Sequence, residues 1–197
     1  MKAIMISIRP EWTQKILNGE KTIEIRKTMP KCDLPVKVYI YCTNNKKHTV
    51  APFRFVEGWK YKEYNDNTSY ANGCTANMGE TINGKVVAEF TLNKITKHKK
   101  NFIDCEDNIC YNFKVCDVKN AGFETDCLSL IDFDNFIEGY GQGKTLYGWH
   151  IDDLKIYDKP KELSEFSHTV EYGTWFHIEP LTRPPQSWCY VEDIENE

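Results

Sequence analysis

The chain has 197 residues, which is long enough for one sizeable hydrophobic core and short for two full domains. Aromatic residues make up 13% of the sequence, which indicates a globular fold because disordered chains are poor in such residues. The formal net charge of −4 argues against non-specific binding to long nucleic acids, which usually requires an excess of basic residues. We therefore expect a single domain over residues 1–197, with insertions at about 44–83 and 101–127, in which any nucleic-acid contact is local.

The sequence shows no segment that marks it for a membrane or for export. No apolar run approaches the length needed to span a bilayer, and the apolar stretch at residues 1–9 is too short for a signal peptide. We therefore expect a cytoplasmic protein with no membrane contact, in which the eight cysteines are free thiols. Cys105, Cys110, Cys116 and Cys127 lack the C-x-x-C spacing typical of zinc sites, so we expect no metal and no other cofactor.

The first predicted elements are a strand and a helix. Residues Lys2–Ile8 form an apolar run that predicts a strand buried on both faces. Pro10 suits the first turn of a helix, and Gly19 ends this helix. Its apolar stripe contains Trp12, Ile16 and Leu17.

The strand that follows, from Lys21 to about Lys27, carries an unusual amount of charge. Alternation along this strand places Glu24 and Arg26 on one face. A carboxylate and a guanidinium with five donors then point into one space, with Lys21 at its mouth. The simplest interpretation is an exposed ion pair, and the alternative is a binding site.

Further along the chain, apolar alternation predicts more strands and one more helix. The basic run Lys94–Lys100 is either a solvated loop or a patch that contacts phosphate. The helix is expected from Ser129 to about Tyr140. Helix and strand signals in this mixed order favour an α+β fold over a doubly wound sheet. The strands are expected at Val36–Tyr41, at Lys85–Leu92, on both sides of Asp152–Asp153 within Leu146–Tyr157, at Trp175–Ile178 and at Ser187–Val191.

Gly19, Lys21, Glu24 and Arg26 together fit the spacing G-x-K-x-x-E-x-R. This spacing resembles the signature of the ASCH domain, a member of the PUA-like superfamily, and its place after a strand and a helix also fits that family. Two later stretches look like the phage and prophage type of ASCH protein, namely Tyr147–Ile151 and Leu181–Tyr190. The resemblance implies a small, closed, mixed β-barrel flanked by helices.

The resemblance also implies a cleft beside the signature strand that holds RNA or a nucleotide-like small molecule. Lys21, Glu24 and Arg26 would form its floor. Lysine and arginine pair with phosphate, while a carboxylate accepts hydrogen bonds from an exocyclic amine or a ribose hydroxyl. The remaining candidate contacts are Trp149 and Trp188 for stacking a base, together with His150 and Arg183. For both tryptophans, ordinary core packing is the simpler interpretation.

Binding without catalysis is the leading interpretation, and two alternatives stay open. Some ASCH-like proteins are amidohydrolases that remove an acetyl group from acetylated cytidine, and they carry a threonine nucleophile at the position of Glu24. A carboxylate offers no hydroxyl for that attack, but Lys21 with Glu24 could still serve a hydrolase acting on a modified nucleoside or on RNA. The second alternative is a non-enzymatic phage protein that binds a host protein through residues 44–83.

Overall fold

The computed structural model describes residues 2–45, 47–55, 58–64, 80–98 and 139–194. These ranges are mostly β-strand, with one α-helix, α1 (Pro10–Leu17), and one 3-10 turn (Leu163–Glu165). None of their helices is long and apolar enough to cross a membrane. The strands are β1 (Lys2–Ile8), β2 (Ile23–Arg26), β3 (Val36–Cys42), β4 (Thr49–Phe55), β5 (Gly58–Tyr64), β6 (Val86–Leu92), β7 (Ile95–His98), β8 (Leu146–His150), β9 (Asp152–Lys161), β10 (Ser167–Tyr172), β11 (Trp175–Pro180) and β12 (Trp188–Glu192).

The chain forms two compact units, of which the first comprises Met1–Gly19, Val36–Thr91 and Asp153–Glu197. Its five-stranded sheet has the order β12–β1–β3–β6–β9, and β1 runs parallel to β3 and antiparallel to β12. Apart from Lys2, every residue of β1 is buried, which confirms the predicted strand with two buried faces. One core cluster of this unit contains Ala3, Met5, Tyr39, Tyr41, Val86, Phe166, Leu181 and Val191.

Helix α1 begins and ends where its sequence signals predict. Pro10 occupies the first turn, where its missing N–H costs no intrahelical hydrogen bond. Gly19 follows the helix with φ at +74°, a left-handed conformation that glycine adopts without a steric penalty. Of the predicted stripe, Ile16 and Leu17 are buried, whereas Trp12 is half-buried. The backbone signals therefore predicted the ends of the helix better than its buried face.

The described residues show neither the expected closed barrel nor the expected set of flanking helices. The strands of the described ranges belong to separate sheets of five, three, two and two strands. A barrel requires one continuous sheet whose first and last strands pair, and these sheets show no such closure. The predicted helix from Ser129 lies outside the described residues except for its end at Gly139–Tyr140.

Two hairpins occupy stretches in which the sequence predicts little regular structure. β4 and β5 pair antiparallel within the insertion expected at about 44–83, and Pro52 interrupts the β-forming run of β4. β10 pairs antiparallel with β11 where only a short strand over Trp175–Ile178 was expected. Polar composition hid these strands, because strand stability depends on cross-strand partners that are distant in sequence.

A buried carboxylate stabilises the middle of the first unit. Glu89 on β6 is 5% exposed, and the Tyr157 hydroxyl donates a hydrogen bond to Glu89 Oε2 at 2.7 Å. Lys155 Nζ lies 3.3 Å from Oε1 of the same carboxylate. Burial alone raises the pKa of Glu89, but the hydrogen bonds from Tyr157 and Lys155 outweigh it and hold this pKa below its ordinary value. A second carboxylate, that of Asp193, accepts hydrogen bonds from Lys37 and Tyr39 in the same way.

We expect the Glu89→Gln variant to lose less stability in acid than the wild type. Because the folded pKa of Glu89 lies below its unfolded value of about 4.3, its carboxylate contributes stability at neutral pH. That contribution disappears as the pH falls through the folded pKa. Urea unfolding from neutral to acid pH measures this, with Glu171→Gln as an exposed control in the same unit. If the free energy of unfolding fell equally with pH in the wild type and in Glu89→Gln, the prediction would be wrong.

Candidate nucleic-acid interface

The second unit, Glu20–Pro35 and Leu92–Asp152, contains the signature strand within the antiparallel sheet β2–β8–β7. Directly paired residues of antiparallel strands share one face of the sheet, so the register identifies what lies around the motif. One row across the three strands is Glu24, Trp149 and Ile95. The next row on the same face is Arg26, Tyr147 and Lys97. We call the face that carries these two rows the motif face.

Three charged side chains of the signature form a continuous ion-pair cluster, which we call the motif triad. Arg26 Nη2 lies 3.1 Å from Glu24 Oε1, and Lys21 Nζ lies 3.3 Å from Glu24 Oε2. The Lys21 ammonium also donates a hydrogen bond to the Ile23 carbonyl oxygen at 2.5 Å. Each oxygen of one carboxylate therefore contacts one cation.

The position of Lys21 differs from the sequence prediction. β2 begins at Ile23 and not at Lys21, so strand alternation does not fix the direction of the lysine side chain. Lys21 precedes the strand and reaches the carboxylate of Glu24. Thr22 between them is exposed, and its carbonyl oxygen accepts a hydrogen bond from the Ile151 N–H at 2.9 Å.

The motif triad is buried, which excludes the simple interpretation as an exposed ion pair. The side chains of Lys21, Glu24 and Arg26 are 4%, 10% and 9% exposed. Two cations surround one carboxylate, so the cluster has an excess of positive charge where water screens it little. Such a site attracts an anionic group such as phosphate more strongly than an exposed pair does.

Trp149 and Tyr147 lie on the motif face in different environments. Trp149 is fully buried, and its indole N–H donates a hydrogen bond to the Thr28 carbonyl oxygen at 3.3 Å. Its ring is therefore covered by the protein on this face and is not accessible to a ligand. Tyr147 is half-buried and pairs with Arg26 on one side and with the exposed Lys97 on the other. Of these two rings, the tyrosine is the better placed to stack on a ligand.

Tyr147 and Lys97 were not among the site residues predicted from sequence, although a signal for each was present. Tyr147 stands two residues before Trp149, so alternation already placed both rings on one face. Lys97 lies in the basic run that was expected to be a solvated loop or a phosphate-contacting patch. Four residues of that run form β7, which pairs with β8.

The other predicted contacts lie on the opposite face of this sheet or in the first unit. His150 is half-buried and pairs with Ile23, which places it on the opposite face of the same sheet. Arg183 and Trp188 belong to the first unit. Arg183 is exposed, whereas Trp188 pairs with Ile6 in the five-stranded sheet.

The described residues contain no group of three histidine, cysteine or acidic side chains placed to hold a metal ion. In this part of the chain, Cys42 and Cys189 are free thiols and Cys32 is exposed. Burial raises the pKa of the Cys42 thiol to about 12, which makes it a poor nucleophile and metal ligand. The candidate metal cluster Cys105, Cys110, Cys116 and Cys127 lies outside the described residues.

Comparison with known proteins identifies the family. The ASCH domain profile matches residues 6–162, and the β-rich architecture is consistent with the ASCH and PUA-like fold. The ASCH protein of Zymomonas mobilis is 17% identical in structural alignment, with 96% of this chain and 87% of that chain covered and a TM-score of 0.47. A point mutant of it gives 16% identity, coverage of 98% and 91%, and a TM-score of 0.48.

These matches identify the family but show neither a ligand nor a reaction for this chain. No curated protein gives a significant match to this chain. The ASCH matches do not support the predicted phage or prophage type. RNA binding is the general property of ASCH domains. Because the profile covers most of the sequence, the chain belongs to the ASCH domain family.

Proposed function

We propose that this chain binds single-stranded RNA, or a nucleotide-like ligand, on the motif face of the β2–β8–β7 sheet. One observation carries the proposal, namely the row in which Tyr147 lies between Arg26 and Lys97. Neighbouring strands lie about 4.8 Å apart, so the two cations flank the ring over roughly 10 Å. An aromatic ring between two cations is suited to stack one base and to pair with phosphates on either side of it.

Each side chain of the motif face has a distinct role in this proposal. Tyr147 stacks on a base, since it is the half-exposed ring of the row. Lys97 and Arg26 pair with phosphate, and Lys21 adds positive charge beside them. Glu24 holds both triad cations in place and accepts a hydrogen bond from a base amine or a ribose hydroxyl.

A single strand or a short ligand suits this site better than a long duplex. Stacking on a protein ring requires an unstacked base, which single strands and loops provide. The net charge of −4 disfavours the extended phosphate contacts of duplex binding. Trp149 is the buried ring of the motif face, while His150, Arg183 and Trp188 stay predicted contacts that this arrangement does not require.

The hydrolase alternative has one observation in its favour. Lys21 Nζ lies 3.3 Å from Glu24 Oε2, and a buried ammonium beside a carboxylate is a possible acid–base pair. It would act on a modified nucleoside or on RNA, with Lys21 and Glu24 as its catalytic residues. A host-protein partner bound through residues 44–83 and a cytoplasmic location also stay predictions, and residues 46, 56–57 and 65–79 of that segment lie outside the described ranges.

We expect Tyr147→Ala to weaken RNA binding by about 1–3 kcal/mol, or roughly 5- to 150-fold, because it removes the stacking ring. Lys97→Ala should weaken binding and reduce the slope of log affinity against log salt by about 0.7, the value for one phosphate contact on a single strand. Fluorescence anisotropy with a labelled short single-stranded RNA, at several salt concentrations, measures both effects.

Lys94→Ala is the matched control for Lys97→Ala. Lys94 is also exposed, but it precedes β7 and lies outside the Arg26–Tyr147–Lys97 row. It should retain nearly the affinity and the salt slope of the wild type. Equal losses in Lys94→Ala and Lys97→Ala would indicate a diffuse charge effect and contradict the proposed row. Product analysis of the same samples distinguishes binding from hydrolysis, since cleaved or altered RNA would establish turnover.

A further inference from the structure

The hairpin of β10 and β11 exposes an unusual amount of apolar surface. Tyr172, Trp175, Phe176 and Ile178 are 58%, 80%, 73% and 59% exposed. They are four of the nine large apolar side chains that are exposed in the described part of the chain. Phe176 and Ile178 share one face of the hairpin, whereas the directly paired Tyr172 and Trp175 lie on the other face. An aromatic side chain can bury about 150–250 Å² against a partner, so exposed apolar surface on both faces of one strand marks an interaction site.

The charges of the hairpin favour a protein partner over a nucleic acid. Its sequence from Ser167 to Pro180 contains Glu171 and Glu179 but neither lysine nor arginine. A surface without these cations cannot neutralise phosphates, which supply most of the affinity for nucleic acids. The hairpin is therefore chemically distinct from the motif face.

One edge of β11 is open within the described ranges. The two-stranded sheet contains only β10 and β11, and Thr169 of β10 donates a hydrogen bond to the carboxylate of Glu192 on β12. β11 is thus the outer strand. Tyr172 and Trp175 pair directly across the two-residue turn, so Phe176 and Ile178 direct their backbone N–H and C=O groups away from β10. Such an edge accepts another extended strand.

The sequence of β11 is complementary to itself about Ile178. In an antiparallel pair of two β11 strands with Ile178 opposite Ile178, Phe176 of one copy faces Pro180 of the other. His177 then faces Glu179. Apolar residues meet on one face and an acid meets a histidine on the other, and both kinds of cross-strand pair are favourable. Pro180 lacks an N–H, but its carbonyl oxygen can still accept the bond from Phe176.

We propose that β11 is a self-association edge, through which two copies of this chain pair antiparallel about a two-fold axis at Ile178. The two β10–β11 hairpins then form one four-stranded sheet. Pairing along one strand edge buries less than the roughly 800 Å² per partner of a standard stable interface, so we expect a reversible dimer. The inference does not depend on RNA binding.

Sedimentation velocity of the full chain over a micromolar concentration series tests the proposal. The wild type should show a monomer–dimer equilibrium. Ile178→Lys, which places two like charges opposite each other at the axis, should raise the dimer dissociation constant by at least about tenfold. Ile156→Lys is the matched control, since Ile156 is also exposed, at 39%, but lies on β9, and this variant should dimerise like the wild type.

A charge exchange tests the register itself. His177→Glu alone places glutamates opposite each other and should weaken the dimer, whereas His177→Glu combined with Glu179→His should restore it. A wild type that stays monomeric, or a dimer that Ile178→Lys leaves intact, would overturn the proposal. A loss of RNA binding in Ile178→Lys without any change in the dimer would also overturn it, because the hairpin would then be an RNA surface.

Discussion

Glu24→Gln should lower the free energy of unfolding by about 3–5 kcal/mol, the usual cost of removing one partner from a buried ion pair. The carboxylate of Glu24 contacts Lys21 Nζ at 3.3 Å and Arg26 Nη2 at 3.1 Å. Glutamine keeps the shape of the side chain but removes the charge, so two buried cations lose their shared counter-ion. The urea midpoint of unfolding, followed by tryptophan fluorescence, measures the loss, and Trp149 on the same face reports on it directly.

Glu20→Gln controls for the change in net charge. Glu20 lies four residues earlier in the same unit and is exposed, so its substitution should change stability by no more than about 0.5 kcal/mol. If Glu24→Gln were as mild as Glu20→Gln, the motif triad would be solvated in solution, as the simplest interpretation of the sequence suggested. The comparison therefore tests in solution the burial that the structure shows.

Local signals in the sequence predicted the elements that depend on a single segment. Pro10 and Gly19 determine the ends of α1, because each acts on its own backbone conformation. Glu24 and Arg26 share a face because they stand two residues apart on one strand. The close approach of these two side chains could thus be predicted without any knowledge of the fold.

Features that depend on pairing between distant segments could not be predicted in this way. Tyr147 lies on the motif face because β8 pairs with β2 in one particular register. A shift of β8 by one residue would have moved Tyr147 to the opposite face and brought His150 onto the motif face. Lys97 joins it because β7 pairs with β8. Whether a sheet closes into a barrel depends on strand pairs of the same distant kind, and the described strands show no such closure.

The structural and functional roles of the motif triad should separate in one triple variant. Lys21→Met, Glu24→Leu and Arg26→Met together replace the buried charges with apolar side chains of similar length. Replacing a complete buried ion cluster is often neutral or stabilising by about 1–4 kcal/mol, because the desolvation cost of the charges disappears. We therefore expect a urea midpoint equal to or above that of the wild type, in contrast to Glu24→Gln.

The same triple variant should bind single-stranded RNA at least about tenfold more weakly, because two phosphate-pairing cations are gone. Lys94→Met is the matched control, since it changes the net charge by the same amount outside the row and should bind nearly as the wild type does. A folded triple variant with wild-type affinity would place the RNA site away from the motif. A folded variant that loses only RNA binding would mean that this domain retains the triad for its ligand and not for its stability.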